Sequence, residues 1–166
     1  MNKILTNIRM LIIHFLNIEG YLLNNNKFCY NLAHQLLYTH RIFGDENKLI
    51  VGNAVELNDA LINTSSGKVI IGDYSFCGHN VFLLTGAHAI EQKNYKRIIS
   101  IPSKGRDIII GRGVWLASNV TVCAPCIIGD HAVIGAGAVV SGEVPAGAFM
   151  AGVPAKIVKM IKFDGE

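Results

Sequence analysis

From Ile110 the sequence divides into six consecutive units of six residues: IGRGVW, LASNVT, VCAPCI, IGDHAV, IGAGAV and VSGEVP. The first place always holds Ile, Leu or Val. The fifth reads Val114, Val120, Cys126, Ala132, Ala138 and Val144, always small or β-branched, with Gly, Ala, Ser, Asn and Asp crowding the places between. An apolar position every sixth residue would wander around a helix with 3.6 residues per turn. Short strands joined by tight turns accommodate it, each pointing one large aliphatic and one small residue inward, with Gly or Asn supplying left-handed conformations at the corners. Stacked coils of such strands bury a continuous apolar column and hydrogen-bond coil to coil, which is a parallel β-helix. The competing architecture, a Gly/Ala/Val-rich sandwich with regularly spaced turns, does not account for six units without a slip. Periodicity alone leaves the hand of the coil open.

The same frame runs upstream through VGNAVE from Val51, LNDALI from Leu57, IGDYSF from Ile71, CGHNVF from Cys77 and LLTGAH from Leu83. NTSSGKVI supplies eight residues where six are expected, so one corner should bulge. After His88 the repeat stops, and Ile110 restores it. The expected organisation is therefore a helical segment over residues 1–44 and an all-β domain over 45–166, with a loop inserted at 89–109.

At 166 residues and 51% hydrophobic, the chain suits one domain with a substantial core. Charged residues make up 16% and the net charge is +3, with no dense Lys/Arg block, which argues against a nucleic-acid partner. Cys29, Cys77, Cys123 and Cys126 are too few and scattered for a disulfide framework, so a reducing cytoplasm is the expected compartment. Within CAPC, Cys126 takes the small inward place of its unit and no second Cys pair follows, so packing is expected there rather than metal. The N-terminal ILTNIRMLIIHFLNI resembles a signal-peptide core, but His14 breaks its apolar run and no small-residue cleavage site follows. It is too short and too polar to span a bilayer. Ile4, Leu5, Ile8, Leu11, Ile12, Phe15 and Leu16 recur at helical spacing, which predicts an amphipathic helix packed on the domain or a neighbouring subunit, with weak membrane-surface association as the lesser reading.

The hexapeptide register, the histidine after TGA, IIIGRGVWLASNVTV, IIGDHAVIGAGAVV and MAGVPAKIVK together resemble the hexapeptide-repeat acyltransferases. The likeness covers roughly residues 45–162 and is to the branch of maltose/galactoside and surface-polysaccharide O-acetyltransferases. It implies a left-handed β-helix, against the usual right-handed rule for parallel crossovers. It also implies a homotrimer with active sites between subunits, acetyl-CoA as cosubstrate, and a saccharide acceptor.

His88 stands at the root of the only long insertion, where function tends to sit on a rigid scaffold. Acetyl transfer to a hydroxyl needs a base, because an unactivated alcohol is a poor nucleophile at neutral pH, and imidazole suits the task. Its second ring nitrogen must be held by an acceptor, either Glu91 or a backbone carbonyl. Taken blindly, His88 is a solvated loop residue; its place within the matching motif reverses that expectation. His79 and His131 fall at turn positions.

By resemblance, Asn58 is the asparagine that contacts the acceptor sugar, competing with a role as a corner residue. Trp115 matches an aromatic at the edge of the acceptor site, competing with a packing role. Small residues at Ala117, Ser118, Ala136 and Gly137 would let the pantetheine arm approach the backbone. The Ser118 amide is implied to lie beside the thioester, and Lys156 and Lys159 match basic residues near the phosphate end of CoA. Solvated lysines are the plainer alternative. The expectation is thus an acetyl-CoA-dependent O-acetyltransferase acting by direct transfer, since no cysteine or serine stands beside a base as a covalent nucleophile requires. N-acetylation of an amino sugar, acetylation of an antibiotic or other xenobiotic, and a catalytically silent trimeric scaffold are the alternatives. A zinc-dependent hydratase on the same fold needs three convergent histidines, and the closely spaced pair is missing, so no metal is expected.

Overall fold

The computed structural model describes residues 39–164, and the expected N-terminal helix lies outside them. The first coil contributes β1 (Arg41–Phe43) and β2 (Leu49–Val51), with a 3-10 turn at Glu46–Lys48 between them. The second holds β3 (Leu61–Asn63), β4 (Val69–Ile71) and β5 (Phe76–Cys77), and the third β6 (Phe82–Leu84), β7 (Ile108–Ile110) and β8 (Trp115–Leu116). Next, β9 (Thr121–Ile128) runs across two faces before β10 (Val133–Ile134), and β11 (Val139–Val144) does the same before β12 (Ala148–Ala151). Every strand pairs in parallel with the equivalent strand of the next coil, until β13 (Lys156–Met160) turns back antiparallel to β12. The result is a parallel β-solenoid with three faces, two of them joined into one sheet by the continuous β9 and β11.

Its core is the column that the hexad frame anticipates. Ile62, Leu83, Val122 and Val140 align along the first face, Ile71, Ile110, Ile128 and Val144 along the second, and Cys77, Leu116, Ile134 and Met150 along the third. From Ile110 onward all the first-place and fifth-place residues are buried. Upstream the frame holds less strictly, and Ala87, in the fifth place of its unit, is only half-buried. The unit from Leu57 is one residue short: Ala60 and Ile62 face inward where Leu61 was expected to, and Leu61 is half-buried. Val51, in the terminal coil, is exposed.

Two boundaries also move. β1 pairs with β3 from Arg41 onward, so the solenoid begins before residue 45; a strand held by backbone pairing at the end of the stack needs no hexad signature. The insertion ends at Asp107 rather than 109, because Ile108 and Ile110 are both inward, in register with Cys126 and Ile128. Both lengthened stretches fall at the corner between the first and second faces, where the last coil is instead shortened, Val144 following Val140 by four residues. Val122 reaches Ile128 in six residues, Ile62 reaches Ile71 in nine, and Leu83 reaches Ile110 only after the whole insertion.

Tight corners at the other two edges rest on left-handed residues stacked one above another. Asn58, Asn80, Asn119 and Gly137 hold φ of 47°, 54°, 61° and 71° at the third corner, where Asn is among the side chains that tolerate this conformation. At the second corner the same role falls to Gly113 and Gly147, and also to Ala54, Tyr74 and His131, which the Gly-or-Asn expectation did not single out.

The burial pattern of β9 alternates, placing Cys126 in the core and Cys123 on the outward side, as packing rather than a shared metal requires. Burial pushes the Cys77 thiol up to about 12, and burial with the neighbouring Cys123 pushes Cys126 up to about 12. Because the thiolate is the reactive form, iodoacetamide at pH 8 should leave Cys77 and Cys126 unmodified in the native protein. Both should alkylate within minutes in denaturant, as peptide mapping would record; rapid native labelling of either would contradict the buried column.

Candidate functional site

The corner carrying the insertion is a closed hydrogen-bonded platform. The Thr85 hydroxyl, fully buried, donates to the Asn63 carbonyl at 2.7 Å and accepts the N–H groups of Ser66 at 3.2 Å and Gly67 at 3.1 Å. Ser66 Oγ in turn accepts the Ala87 N–H at 3.3 Å, fixing the residue before His88. On the returning limb, Arg106 donates from Nε to the Thr85 carbonyl and from Nη2 to the Ala124 carbonyl, each at 2.8 Å. Gly67 lies so close under this limb that a Cβ there would collide with the Arg106 carbonyl. Rigid strands therefore clamp both ends of the insertion.

Between the clamps lies α1 (Asn94–Ile99). The Arg97 guanidinium donates to the Gln92 carbonyl at 2.7 Å and the Ile90 carbonyl at 3.0 Å, and the Ala89 N–H reaches the Ser100 carbonyl at 2.9 Å. These bonds bring the backbone carbonyl of Arg97 to 2.9 Å from His88 Nδ1. A carbonyl oxygen only accepts, so Nδ1 carries the proton in the neutral ring and Nε2 keeps its lone pair. The His88 side chain is exposed, with that lone pair available. Of the two orienting groups weighed from sequence, a backbone carbonyl holds the ring; Glu91 is exposed on the same segment.

The other expected site residues lie elsewhere on the solenoid. Asn58, Ala117, Ser118, Ala136 and Gly137 all stack at the third corner, between the third and first faces. The Asn58 amide donates to the Cys77 carbonyl at 2.6 Å, so it does hold a turn, and its Oδ1 remains as an acceptor. Ser118 Oγ accepts the His79 N–H at 3.2 Å, and the Ser118 carbonyl accepts the Gly137 N–H at 3.0 Å. A Cβ on Gly78 would meet the Ser118 amide nitrogen at 2.6 Å, so the coils approach closely there. Asp59 Oδ1 accepts the Asn80 N–H at 3.0 Å and lies 3.3 Å from His79 Nδ1. Desolvation, the largest single influence, raises the Asp59 carboxyl, but the backbone N–H groups and His79 together outweigh it and hold the group below the ordinary carboxylate range.

Trp115 is partly exposed on the third face and stacks on Phe76, with ring centroids 5.8 Å apart. With Val133, Phe149, Lys159, Met160 and Lys162 it lines a groove of about 540 Å³. Lys156 sits on the same exposed strand β13, paired with Ala151. One chain thus gathers the aromatic and a lysine at one groove, stacks the small residues and Asn58 along one edge, and carries His88 on a different edge. Among the described residues, His79, His88 and His131 sit at three different corners. His79 faces Asp59 at the third corner, His131 packs edge-on against Phe163 at the second, and His88 leaves the first. Among the described residues no group of His, Cys, Asp or Glu is placed to hold a metal.

The sequence reading missed Thr85, Ser66, Arg106 and Arg97. Ser66 left a trace in the NTSSG bulge, whereas Thr85 lies inside a regular unit and the arginines act on backbone carbonyls and leave no pattern.

A family model described as bacterial transferase hexapeptide (six repeats) matches residues 107–142. WbbJ of Escherichia coli (strain K12), named for lipopolysaccharide biosynthesis O-acetyl transfer, is 36% identical over 111 residues, 63% of this chain and 57% of its own. The chain therefore spans little more than half of that relative. WcaF of the same organism, named for colanic acid biosynthesis acetylation, is 32% identical over 133 residues, covering 72% of this chain and 71% of its own. Among solved structures, a galactoside acetyltransferase in complex with coenzyme A superimposes with a TM-score of 0.57 at 26% identity, covering 69% of this chain and 66% of that one. With the buried hexad column, the matched repeats and a relative covered over most of both lengths, the chain belongs to the hexapeptide-repeat acetyltransferase family.

Proposed function

We propose that the protein transfers the acetyl group of acetyl-CoA to a sugar hydroxyl, in the making of a surface polysaccharide, with His88 as general base. The observation that carries this reading is the His88 ring, held through Nδ1 by the Arg97 carbonyl and presenting Nε2 outward from a clamped insertion. Nε2 takes the acceptor proton as the sugar oxygen attacks the thioester carbonyl. The resulting oxyanion collapses, the carbon–sulfur bond breaks, and the imidazolium returns the proton to the departing thiolate. The Ser118 amide stabilises the oxyanion, Asn58 Oδ1 and Glu91 contact the acceptor, and Trp115 borders it. Ala117, Ala136 and Gly137 leave room for pantetheine along the third corner.

Lys156 and Lys159 then meet the phosphate end of CoA. Exposed charge pairs contribute at most about 1 kcal/mol, roughly 5-fold in affinity, so Lys156→Ala and Lys159→Ala should each raise KM for acetyl-CoA by about that factor or less. The kcat should stay unchanged and the effect should shrink in high salt. An equal loss of kcat in steady-state kinetics would move these lysines out of the cofactor role.

His88 and Asn58 occupy different edges of one chain, as expected for a left-handed homotrimer with sites between subunits, working in the cytoplasm. Among the described residues no helix is long and apolar enough to cross a membrane. Co-expressing His88→Ala and Asn58→Ala chains tests this arrangement. Mixed trimers should regain activity that neither variant shows alone, because some interfaces pair a native His88 with a native Asn58. Failure to regain any, with mixed trimers present by mass spectrometry, would place both residues in one subunit's site or remove Asn58 from it.

A further inference from the structure

The hexad repeat assigns no role to the Arg97 side chain, yet its geometry gives it one. We infer that Arg97 is a positioning residue for His88: its guanidinium folds residues 89–97 back on themselves so that its own backbone carbonyl sets the tautomer of the imidazole. The inference rests on the general-base reading of His88.

Nε donates to the Gln92 carbonyl at 2.7 Å and Nη2 to the Ile90 carbonyl at 3.0 Å. One planar cation thus satisfies two carbonyls from the turn that follows His88, a task suited to the fixed fork of arginine and poorly matched by the single ammonium of lysine. The helix carrying Arg97 has six residues, too short to be stable by itself, and no residue of it is buried. Its N-terminal boundary residue, Lys93, makes no side-chain cap, and Asn94 adopts a φ of 51°. Apolar packing therefore contributes little to fixing where the Arg97 carbonyl points. The guanidinium bonds at one end and the Ala89 to Ser100 backbone bond at the other close the segment into a compact loop around His88. Cutting the guanidinium away leaves the carbonyl free to swing from Nδ1, and a histidine so released populates both neutral tautomers. In the Nε2-protonated form the outward nitrogen is a donor and accepts no proton from an acceptor hydroxyl.

The test pairs a spectroscopic readout with kinetics. Nitrogen-15 spectra of histidine-labelled protein at mildly alkaline pH, with His88→Ala for assignment, should show the ring as the Nδ1-protonated tautomer in the native chain and as a mixture in Arg97→Ala. The kcat of Arg97→Ala should fall by roughly 10-fold or more, since a wrong tautomer is costly to a general base, while KM for acetyl-CoA stays within about 2-fold. Arg97→Lys should fall between the two in both readouts, keeping the test alive if the alanine variant folds poorly. The exposed neighbour Lys96→Ala should match the native protein. If His88 stays Nδ1-protonated and kcat changes less than about 2-fold in Arg97→Ala, the inference is wrong. The tautomer readout needs no turnover, so it still decides the role of Arg97 if the chain transfers no acetyl group at all.

Discussion

His88→Ala should lower acceptor-dependent kcat by roughly 10²-fold or more, the usual effect of removing a general base, while leaving acetyl-CoA binding intact. The separation of effects follows from what each group touches. In the proposed site between subunits, His88 meets only the acceptor hydroxyl and the thioester, whereas the rest of CoA rests on the small residues of the third corner and on Lys156 and Lys159 of β13. Truncating His88 opens no cavity and breaks one hydrogen bond, to the Arg97 carbonyl, so thermal stability should stay near native. Calorimetric titration with CoA beside steady-state turnover reads both quantities. A variant that binds CoA normally and turns over within a few-fold of native would remove His88 from the chemistry.

Leu83→Ala should produce the largest loss of stability, about 2–5 kcal/mol. Leu83 is fully buried, sandwiched in register between Ile62 of one coil and Val122 of the next. Parallel coils stacked at fixed spacing cannot collapse into the space a missing isobutyl group leaves, which puts the cost toward the upper part of the range. Because Leu83 precedes Thr85 by two residues, the hydroxyl that anchors the insertion would lose its support as well. Denaturant unfolding checks the magnitude. A loss under about 1 kcal/mol would mean that the column tolerates a void and that hydrogen bonding between coils outweighs its packing.

The solenoid was legible from Ile110 onward because two inward places per unit leave little freedom: Val120, Val122, Cys126 and Ile128 can satisfy only one register. Legibility failed where several residues fit equally. Ile108, Ile109 and Ile110 are chemically identical, so only pairing with Cys126 and Ile128 decides that the strand resumes at Ile108. β1 was invisible, since Arg41–Phe43 joins the sheet through its backbone. The unit at Leu57 looked regular because Leu61 matched the expected class, although Ala60 and Ile62 take the inward places.

The candidate site was legible in its placement at the insertion. His88 stood out because an insertion interrupts a strict repeat, and the need for an orienting acceptor follows from imidazole chemistry. Which acceptor serves does not follow, because every residue carries a carbonyl and only the fold of residues 89–100 brings that of Arg97 to Nδ1. Asn58 carried two meanings at once. Its left-handed backbone and its bond to the Cys77 carbonyl explain an asparagine at that corner, as at Asn80 and Asn119, and leave Oδ1 for a ligand.

The most direct measurement is the release of free thiol from acetyl-CoA by the native chain, across a panel of mono- and disaccharide acceptors, with the product then treated with mild base. Thiol should appear only when an acceptor is present, and the acetyl group should come off the isolated sugar in base, as an oxygen ester does and an amide does not. Acetyl retained on an amino sugar would contradict O-transfer. No acceptor-dependent thiol from any saccharide, together with no binding of CoA, would contradict acetyl transfer itself and leave a solenoid whose clamped histidine serves another purpose.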